Sequence, residues 1–183
     1  MIKRQIKNIT IEILQGDITK QPDIEAIVNA ANAYLRPGGG VAGAIHRAAG
    51  PELEKECRKY APIKVGEAVI TKGYNLPNKY VIHCLGPRYG IDKPEDKLLA
   101  DCYINALMVA EENKISSIAF PAISTGAFGY PVKEATKVVF DTITKILPKL
   151  KHVKIIRFVL FSKEDYDVYV DISKSLVCKG VEQ

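Results

Sequence analysis

The hydrophobic pattern of this chain alternates between short strand-like runs and longer segments with helical spacing. Ile9, Ile11 and Ile13 alternate with polar residues, which predicts a half-buried strand. The basic segment in front of it, residues 3–7, predicts either an exposed start or an added edge strand. Further strands are predicted at residues 24–29, 67–73, 79–85, 117–123 and 155–161.

Helices are predicted between these strands. A short helix covers residues 42–49, Pro51 begins a second one, and helical spacing continues over residues 98–110. Pro131 begins a fourth helix, and Ser162 caps the last one.

The order of these elements predicts an α/β fold. Because strands and helices alternate, we expect a three-layer α/β/α sandwich. The strands at 67–73 and 79–85 are joined by a short turn, so the central sheet is predicted to be mixed and mostly parallel. Asp92 and Glu95 have the spacing of a capping box, with Pro94 in the first turn of its helix. No repeat or linker interrupts residues 1–183, which favours a single domain.

Composition narrows the classes of function. The net charge of +5 favours an anionic ligand or weak nucleic-acid affinity, but no dense basic run interleaved with aromatics marks a nucleic-acid groove. An apolar run of about 20 residues is absent, so no membrane partner is predicted. The three histidines do not cluster, and neither a metal nor a cofactor is predicted. The lack of an apolar leader and of C-x-x-C pairs predicts a cytoplasmic protein whose thiols are free, at Cys57, Cys84, Cys102 and Cys178.

The stretch from Ala26 to Gly50 carries the clearest chemistry. It runs from a predicted strand past two asparagines, crosses three consecutive glycines at 38–40 and enters a helix. Glycine lets the backbone approach an anion, and the N–H groups of a helix start point at it, so this loop predicts a phosphate site. Its Gly-x-Gly-x-x-Gly pattern also occurs in dinucleotide-binding folds. Residues 30–37 separate the strand from the glycines, however, and no acidic residue ends the next strand. NAD-dependent redox chemistry is therefore disfavoured, and the missing Gly-Lys-Ser/Thr motif disfavours nucleotide hydrolysis.

A second glycine loop, residues 124–130, follows the predicted strand at 117–123. Two such loops at strand carboxyl ends suit a diphosphate that is held between two sets of backbone N–H groups. The alternative is a pair of unrelated turns.

Five segments together resemble the macro domains, a family that binds ADP-ribose. They occur in the family's order and span most of the chain: QGDIT at 15–19, AIVNAAN at 26–32, GGGVAGAIH at 38–46, VIHCLGP at 81–87 and FPAISTGAFGYP at 120–131. The resemblance implies the macro-domain fold and the binding of ADP-ribose, either free or as the terminal ADP-ribose of a modified protein.

The resemblance also implies a role for each loop. Asp17 would accept a hydrogen bond from the adenine amino group, and Ile18 would offer its backbone N–H and an apolar wall. The alternative for Asp17 is a helix cap or a turn. Asn32 would bond the distal ribose and is the candidate catalytic residue, while Asn29 would support the loop through backbone bonds. The alternative for both asparagines is a role in turns.

The diphosphate would lie between the two glycine loops. Phe128 would also pack on the distal ribose, with an ordinary core aromatic as its alternative. His83 is predicted to serve the core and His46 to pack its helix. The residues implied to hold the diphosphate are Gly38, Gly39, Gly40 and Val41 on one side, and Ser124, Thr125, Gly126, Ala127 and Phe128 on the other.

Ala42 is the position at which a binding protein and a hydrolase differ. Efficient mono-ADP-ribosyl hydrolases of the family carry an aspartate there, which places or activates water. Alanine cannot do so. The resemblance therefore leaves open a pure binding protein, a hydrolase of mono-ADP-ribosylated acidic side chains, and an O-acetyl-ADP-ribose deacetylase. A nucleic-acid-binding module is a third class, suggested by the net charge only.

Overall fold

One mixed sheet of seven strands forms the centre of the computed structural model, which describes residues 1–178. In chain order the strands are β1 (Ile2–Ile6), β2 (Ile9–Gln15), β3 (Ala26–Ala30), β4 (Ala68–Lys72), β5 (Tyr80–Cys84), β6 (Ser117–Phe120) and β7 (Ile155–Leu160). The helices are α1 (Gly40–Ala49), α2 (Pro51–Cys57), α3 (Glu95–Glu112), α4 (Val132–Ile146) and α5 (Lys163–Cys178), and a 3-10 turn at Leu147–Lys149 follows α4.

The strand order is β1-β2-β7-β6-β3-β5-β4. The five inner strands are parallel, and the two edge strands pair antiparallel with their neighbours. This arrangement confirms the predicted mixed, mostly parallel sheet. The basic segment at the start of the chain is the added edge strand β1.

Helices cover both faces of the sheet, which confirms the three-layer sandwich. On one face α3, α4 and α5 enclose the larger core, where the rings of Phe158 and Tyr169 lie 5.5 Å apart. On the other face α1 and α2 enclose a smaller core around Ile27 and Ile45. Ser162 caps α5 as predicted, because its Oγ accepts a hydrogen bond from the Asp165 N–H at 3.1 Å.

Two local predictions are wrong. Asp92 does not cap α3, because its carboxylate accepts hydrogen bonds from the backbone N–H and guanidinium of Arg88. The helix begins at Glu95, and Pro94 occupies the N-cap position without a side-chain cap. Strand β6 ends at Phe120 rather than Ile123, since the proline that follows has no N–H for the ladder.

Three of the four cysteines, Cys57, Cys84 and Cys102, are free and buried, as predicted. Burial raises the pKa of each thiol, to about 12 for Cys57 and Cys102. The side chain of Cys178 lies outside the described part of the chain.

Among residues 1–178, no helix is both long and apolar enough to cross a membrane. No group of three or more His, Cys, Asp or Glu side chains among those that the structure describes could hold a metal ion.

Candidate ligand-binding site

The loops that follow β2, β3, β7 and β6 all lie at the carboxyl end of the sheet, because these strands are parallel. The helices after β3 pack on one face of the sheet, whereas α4 after β6 packs on the other. Since β3 and β6 are neighbours, the loops that follow them run to opposite faces of the sheet and leave a crevice between them. A crevice at the carboxyl ends of strands, where successive connections turn to opposite faces, is the usual ligand site of an open α/β sheet.

Asp17 is the second residue of the loop after β2 and folds this loop into a turn. Its Oδ1 accepts hydrogen bonds from the N–H of Thr19 at 2.9 Å and from the Oγ1 of Thr19 at 2.7 Å. These two bonds hold the pKa of the Asp17 carboxyl below its ordinary value, so the group is ionised at neutral pH. Asp17 Oδ2 and the Ile18 N–H have no hydrogen-bond partner in the described chain. The turn alternative and a ligand-binding role are therefore compatible in one side chain.

The glycine loop after β3 is closed by a tight backbone approach. Gly40 begins α1 at a φ of +56°, a conformation that favours glycine. A Cβ atom at Gly43 would overlap the carbonyl oxygen of Gly38, so the loop can lie against the helix only because position 43 has no side chain. The N–H groups of Gly40, Val41 and Ala42 donate to no acceptor within residues 1–178. They form the donor set expected at a helix start.

The predicted support of the loop by backbone bonds comes from Asn32 and not from Asn29. Asn32 supports the loop itself: its Nδ2 donates to the carbonyl of Arg36 at 2.8 Å, and its Oδ1 accepts from the Arg36 N–H at 3.0 Å. Asn29 was expected to bond the loop backbone, but its side chain contacts Nδ1 of His83 at 3.0 Å. The amide of Asn32 keeps one further N–H and one further lone pair for a ligand.

The second loop, after β6, presents another row of donors. Ser124 has a φ of +68°, and its carbonyl accepts a hydrogen bond from the Tyr130 N–H at 2.9 Å. This strained residue turns the chain so that the N–H groups of residues 125–128 find no acceptor in the described structure. The Ser124 hydroxyl is buried and also unpartnered. Phe128 and Val41 are half-buried and pack against the same apolar cluster, to which Ile18 belongs.

His83 and His46 differ in how they are satisfied. His83 is a core histidine, as predicted: its Nε2 bonds Oγ1 of Thr71 at 2.9 Å, and burial lowers its pKa to about 3. His46 is 5% exposed, and neither of its ring nitrogens has a hydrogen-bond partner among the residues that the structure describes. It lines a cavity of about 300 Å³ between the glycine loop and the first two helices, together with Gly38 and Arg47. Burial lowers its pKa, so the ring is neutral at pH 7. Helix packing alone therefore does not describe His46.

Phe161 was missed as a site residue. Phe161 follows β7 directly, and β7 lies between β2 and β6. Its ring therefore lies at the carboxyl end of the sheet, as do Asp17 and the second loop. It is 87% exposed, although every residue of β7 before it is buried or half-buried. The signal in the sequence was an aromatic residue that ends an apolar run immediately before a helix cap.

The arrangement of donors and the sheet order define a macro domain. The family model for the Macro domain matches residues 28–139, and the chain belongs to this family. The fold and family predictions are thereby confirmed.

Solved structures and curated relatives of known name are similar to the chain over most of its length. It is 44% identical to the Oceanobacillus iheyensis macrodomain with ADP, with a TM-score of 0.92 and 97% of both chains covered. A Trypanosoma brucei macrodomain in complex with ADP-ribose is 37% identical, with a TM-score of 0.83, and the match covers 88% of this chain and 68% of that one. The human ADP-ribose glycohydrolase MACROD2 is 47% identical over 162 residues, which are 87% of this chain and 38% of the relative.

Proposed function

We propose that this chain binds ADP-ribose, either free or as the terminal mono-ADP-ribose of a modified protein. The observation that carries the proposal is the pair of unpartnered N–H rows, at residues 40–42 and 125–128, on the loops of two neighbouring parallel strands. A diphosphate is an anion long enough to accept hydrogen bonds from both rows. The complexes of the two similar macrodomains with ADP and with ADP-ribose support the same ligand class.

The adenine end of the ligand lies at the loop after β2. The 6-amino group of adenine donates to Oδ2 of Asp17, and N1 accepts from the Ile18 N–H, because these two protein atoms have no other partner. The exposed ring of Phe161 offers a flat surface for the base. At the other end, Phe128 and Asn32 face the distal ribose.

Calorimetry with ADP-ribose tests this proposal. A micromolar Kd, which corresponds to about −8 kcal/mol, is the expected result. AMP is the matched control, since it lacks the second phosphate and the distal ribose, and it binds more weakly. The absence of heat at millimolar ADP-ribose, with the protein shown to be folded, would refute the proposal.

The second candidate is hydrolysis of the bond between ADP-ribose and an acidic side chain, or of the ester in O-acetyl-ADP-ribose. Two observations favour it: the similarity to a relative named as an ADP-ribose glycohydrolase, and the unpartnered neutral imidazole of His46 beside Gly38. A neutral histidine is able to take a proton from water. The buried Ala42 has no group to assist it, so we expect slow turnover.

Release of ADP-ribose from a mono-ADP-ribosylated protein separates the two candidates. If the chain is a hydrolase, release exceeds that in buffer, Asn32→Ala abolishes most of it and Ala42→Asp raises it. His46→Phe is the sharper variant, because it removes the proton acceptor and leaves the Asn32–Arg36 bonds intact. Release no faster than in buffer identifies a binding protein.

A cytoplasmic location and the absence of a nucleic-acid role remain proposals from the sequence. The first rests on the free cysteines, and the second on the missing basic groove. Salt-sensitive RNA binding that ADP-ribose fails to displace would favour a separate basic surface.

A further inference from the structure

A buried polar network lies beneath the loop that carries Asp17. Arg157 is in the middle of β7 and Glu12 is opposite it on β2, and both side chains are about 95% buried. The guanidinium of Arg157 donates through Nε and Nη2 to Oε2 of Glu12, at 2.9 and 2.8 Å. Its Nη1 donates to Oε1 of Gln21 at 2.9 Å, and Nη1 and Nη2 also donate to the outer partner, Asp23.

Gln21 passes this anchor on to Asp17. Its Nε2 donates at 2.8 Å to the backbone carbonyl of Asp17, which also accepts from the Lys20 N–H at 3.0 Å, and its Oε1 accepts from Arg157. The orientation of the amide is determined by chemistry: a guanidinium only donates and a carbonyl only accepts, so a flipped amide would lose both bonds. The backbone carbonyl of Gln21 accepts from Nδ2 of Asn78 at 2.8 Å, which holds the residue from a third side.

We propose that Gln21 and Arg157 are positioning residues for purine recognition: they fix the peptide group between Asp17 and Ile18, and with it the carboxylate and the N–H that distinguish adenine. This inference rests on the proposed binding of ADP-ribose. The peptide unit is planar, so the carbonyl of Asp17 and the N–H of Ile18 belong to one rigid group and point in opposite directions. A hydrogen bond that holds the carbonyl on the protein side therefore aims the N–H toward the crevice.

Burial makes the anchor stiff. Gln21 is 5% exposed and Arg157 is 4% exposed, so water does not compete for their hydrogen bonds. Asp23 differs, because its side chain is 65% exposed and its carboxylate accepts hydrogen bonds from Arg157, with none to Asp17 in the described chain. Of these two partners of Arg157, Gln21 also bonds the Asp17 carbonyl and Asp23 does not.

The test compares ADP-ribose with its analogue that has hypoxanthine in place of adenine. Hypoxanthine reverses both atoms at this edge, since O6 accepts where the amino group donates and N1–H donates where N1 accepts. The two ligands share their charge and both riboses, so the ratio of their Kd values reports only on recognition of the base. Gln21→Glu keeps an acceptor for Arg157 and loses the donor to Asp17, whereas Gln21→Met loses both bonds.

We expect the wild type to prefer ADP-ribose, and the ratio to fall about fivefold or more in Gln21→Glu and Gln21→Met, the loss that one hydrogen bond implies. Asp23→Asn is the matched control and keeps the wild-type ratio. Thermal unfolding shows which variants are folded. A ratio within about twofold of the wild type in the folded Gln21 variants would overturn the positioning role, as would an equal fall in Asp23→Asn. If the wild type binds neither ligand, the proposed function itself fails.

Discussion

Asp17→Asn isolates the hydrogen bond to the base from the fold of its loop. In the wild type, Oδ1 accepts from the N–H and the hydroxyl of Thr19, and Oδ2 is left for a ligand. Asparagine retains an Oδ1 for Thr19. The Thr19 N–H can only donate, so the amide cannot flip without losing that bond, and its NH2 group must replace Oδ2.

The expected effect is a loss of ADP-ribose affinity at nearly unchanged stability. A hydrogen bond to a charged group contributes about 1.5–3 kcal/mol, so affinity falls about ten- to 150-fold. Two donors then also face each other, which moves the result toward the upper end. Simple charge attraction predicts the opposite sign, because the variant removes a negative charge near an anionic ligand.

Calorimetry of the wild type and of Asp17→Asn measures the loss, and thermal unfolding checks that the Thr19 turn survives. Asp141→Asn, on the exposed side of α4, is the charge-matched control and leaves the affinity unchanged. An Asp17→Asn variant that binds ADP-ribose as tightly as the wild type would refute the assignment of Oδ2 to the base.

Three further predictions follow from individual residues. Gly43→Ala forces a methyl group onto the carbonyl of Gly38. Calorimetry should then show weaker ADP-ribose binding, and thermal unfolding should show a loss of about 1–3 kcal/mol in the free energy of unfolding. Gly39→Ala is the control with a much smaller effect, because a Cβ there meets nothing within 4 Å. Burial lowers the pKa of His83 from 6.5 to about 3, so protons bind the unfolded chain first as pH falls. Urea unfolding should then show stability decreasing by up to about 1.4 kcal/mol per pH unit below 6.5, and a flat profile would contradict this. Phe161→Ala should weaken ADP-ribose by about 1–3 kcal/mol without changing the melting temperature, and unchanged affinity would exclude stacking.

The sheet and its two loops are predictable because their signals are local. A buried strand is a continuous apolar run, and a glycine cluster at a strand end indicates a close backbone approach. The donor rows at residues 40–42 and 125–128 follow from these patterns, and so does the alternation that produces three layers. The predicted capping box at Asp92 is wrong because Arg88, four residues earlier, competes for the same carboxylate. The guanidinium of Arg88 forms a charge-assisted hydrogen bond with Asp92, which is stronger than a bond to a neutral backbone N–H.

The remaining site features depend on pairs that are distant in sequence. Arg157 reaches Gln21 only because β7 lies next to β2, and Asn29 meets His83 only because β3 pairs with β5. Their residue types are compatible with many surface roles, so strand order is needed to pair them. The sequence predicts Phe161 only as the last residue of a strand. Its exposed position beside Asp17 depends on the strands that flank β7, and the sequence does not give that order.

The crevice is assembled from segments that are more than a hundred positions apart, since Asp17 and Phe128 follow strands that approach only when β7 is in place between β2 and β6. Contacts between segments that are so far apart in the sequence carry a high entropic cost of loop closure, and they form only when the strands between them are in place. A ligand that contacts both segments needs both of them in place, so it stabilises the folded chain relative to the unfolded chain. At a concentration of about one hundred times its Kd, it would add about 2.7 kcal/mol to the free energy of unfolding. Ligand binding in the crevice thereby also stabilises β1 and β4, the two edge strands of the sheet, against unfolding.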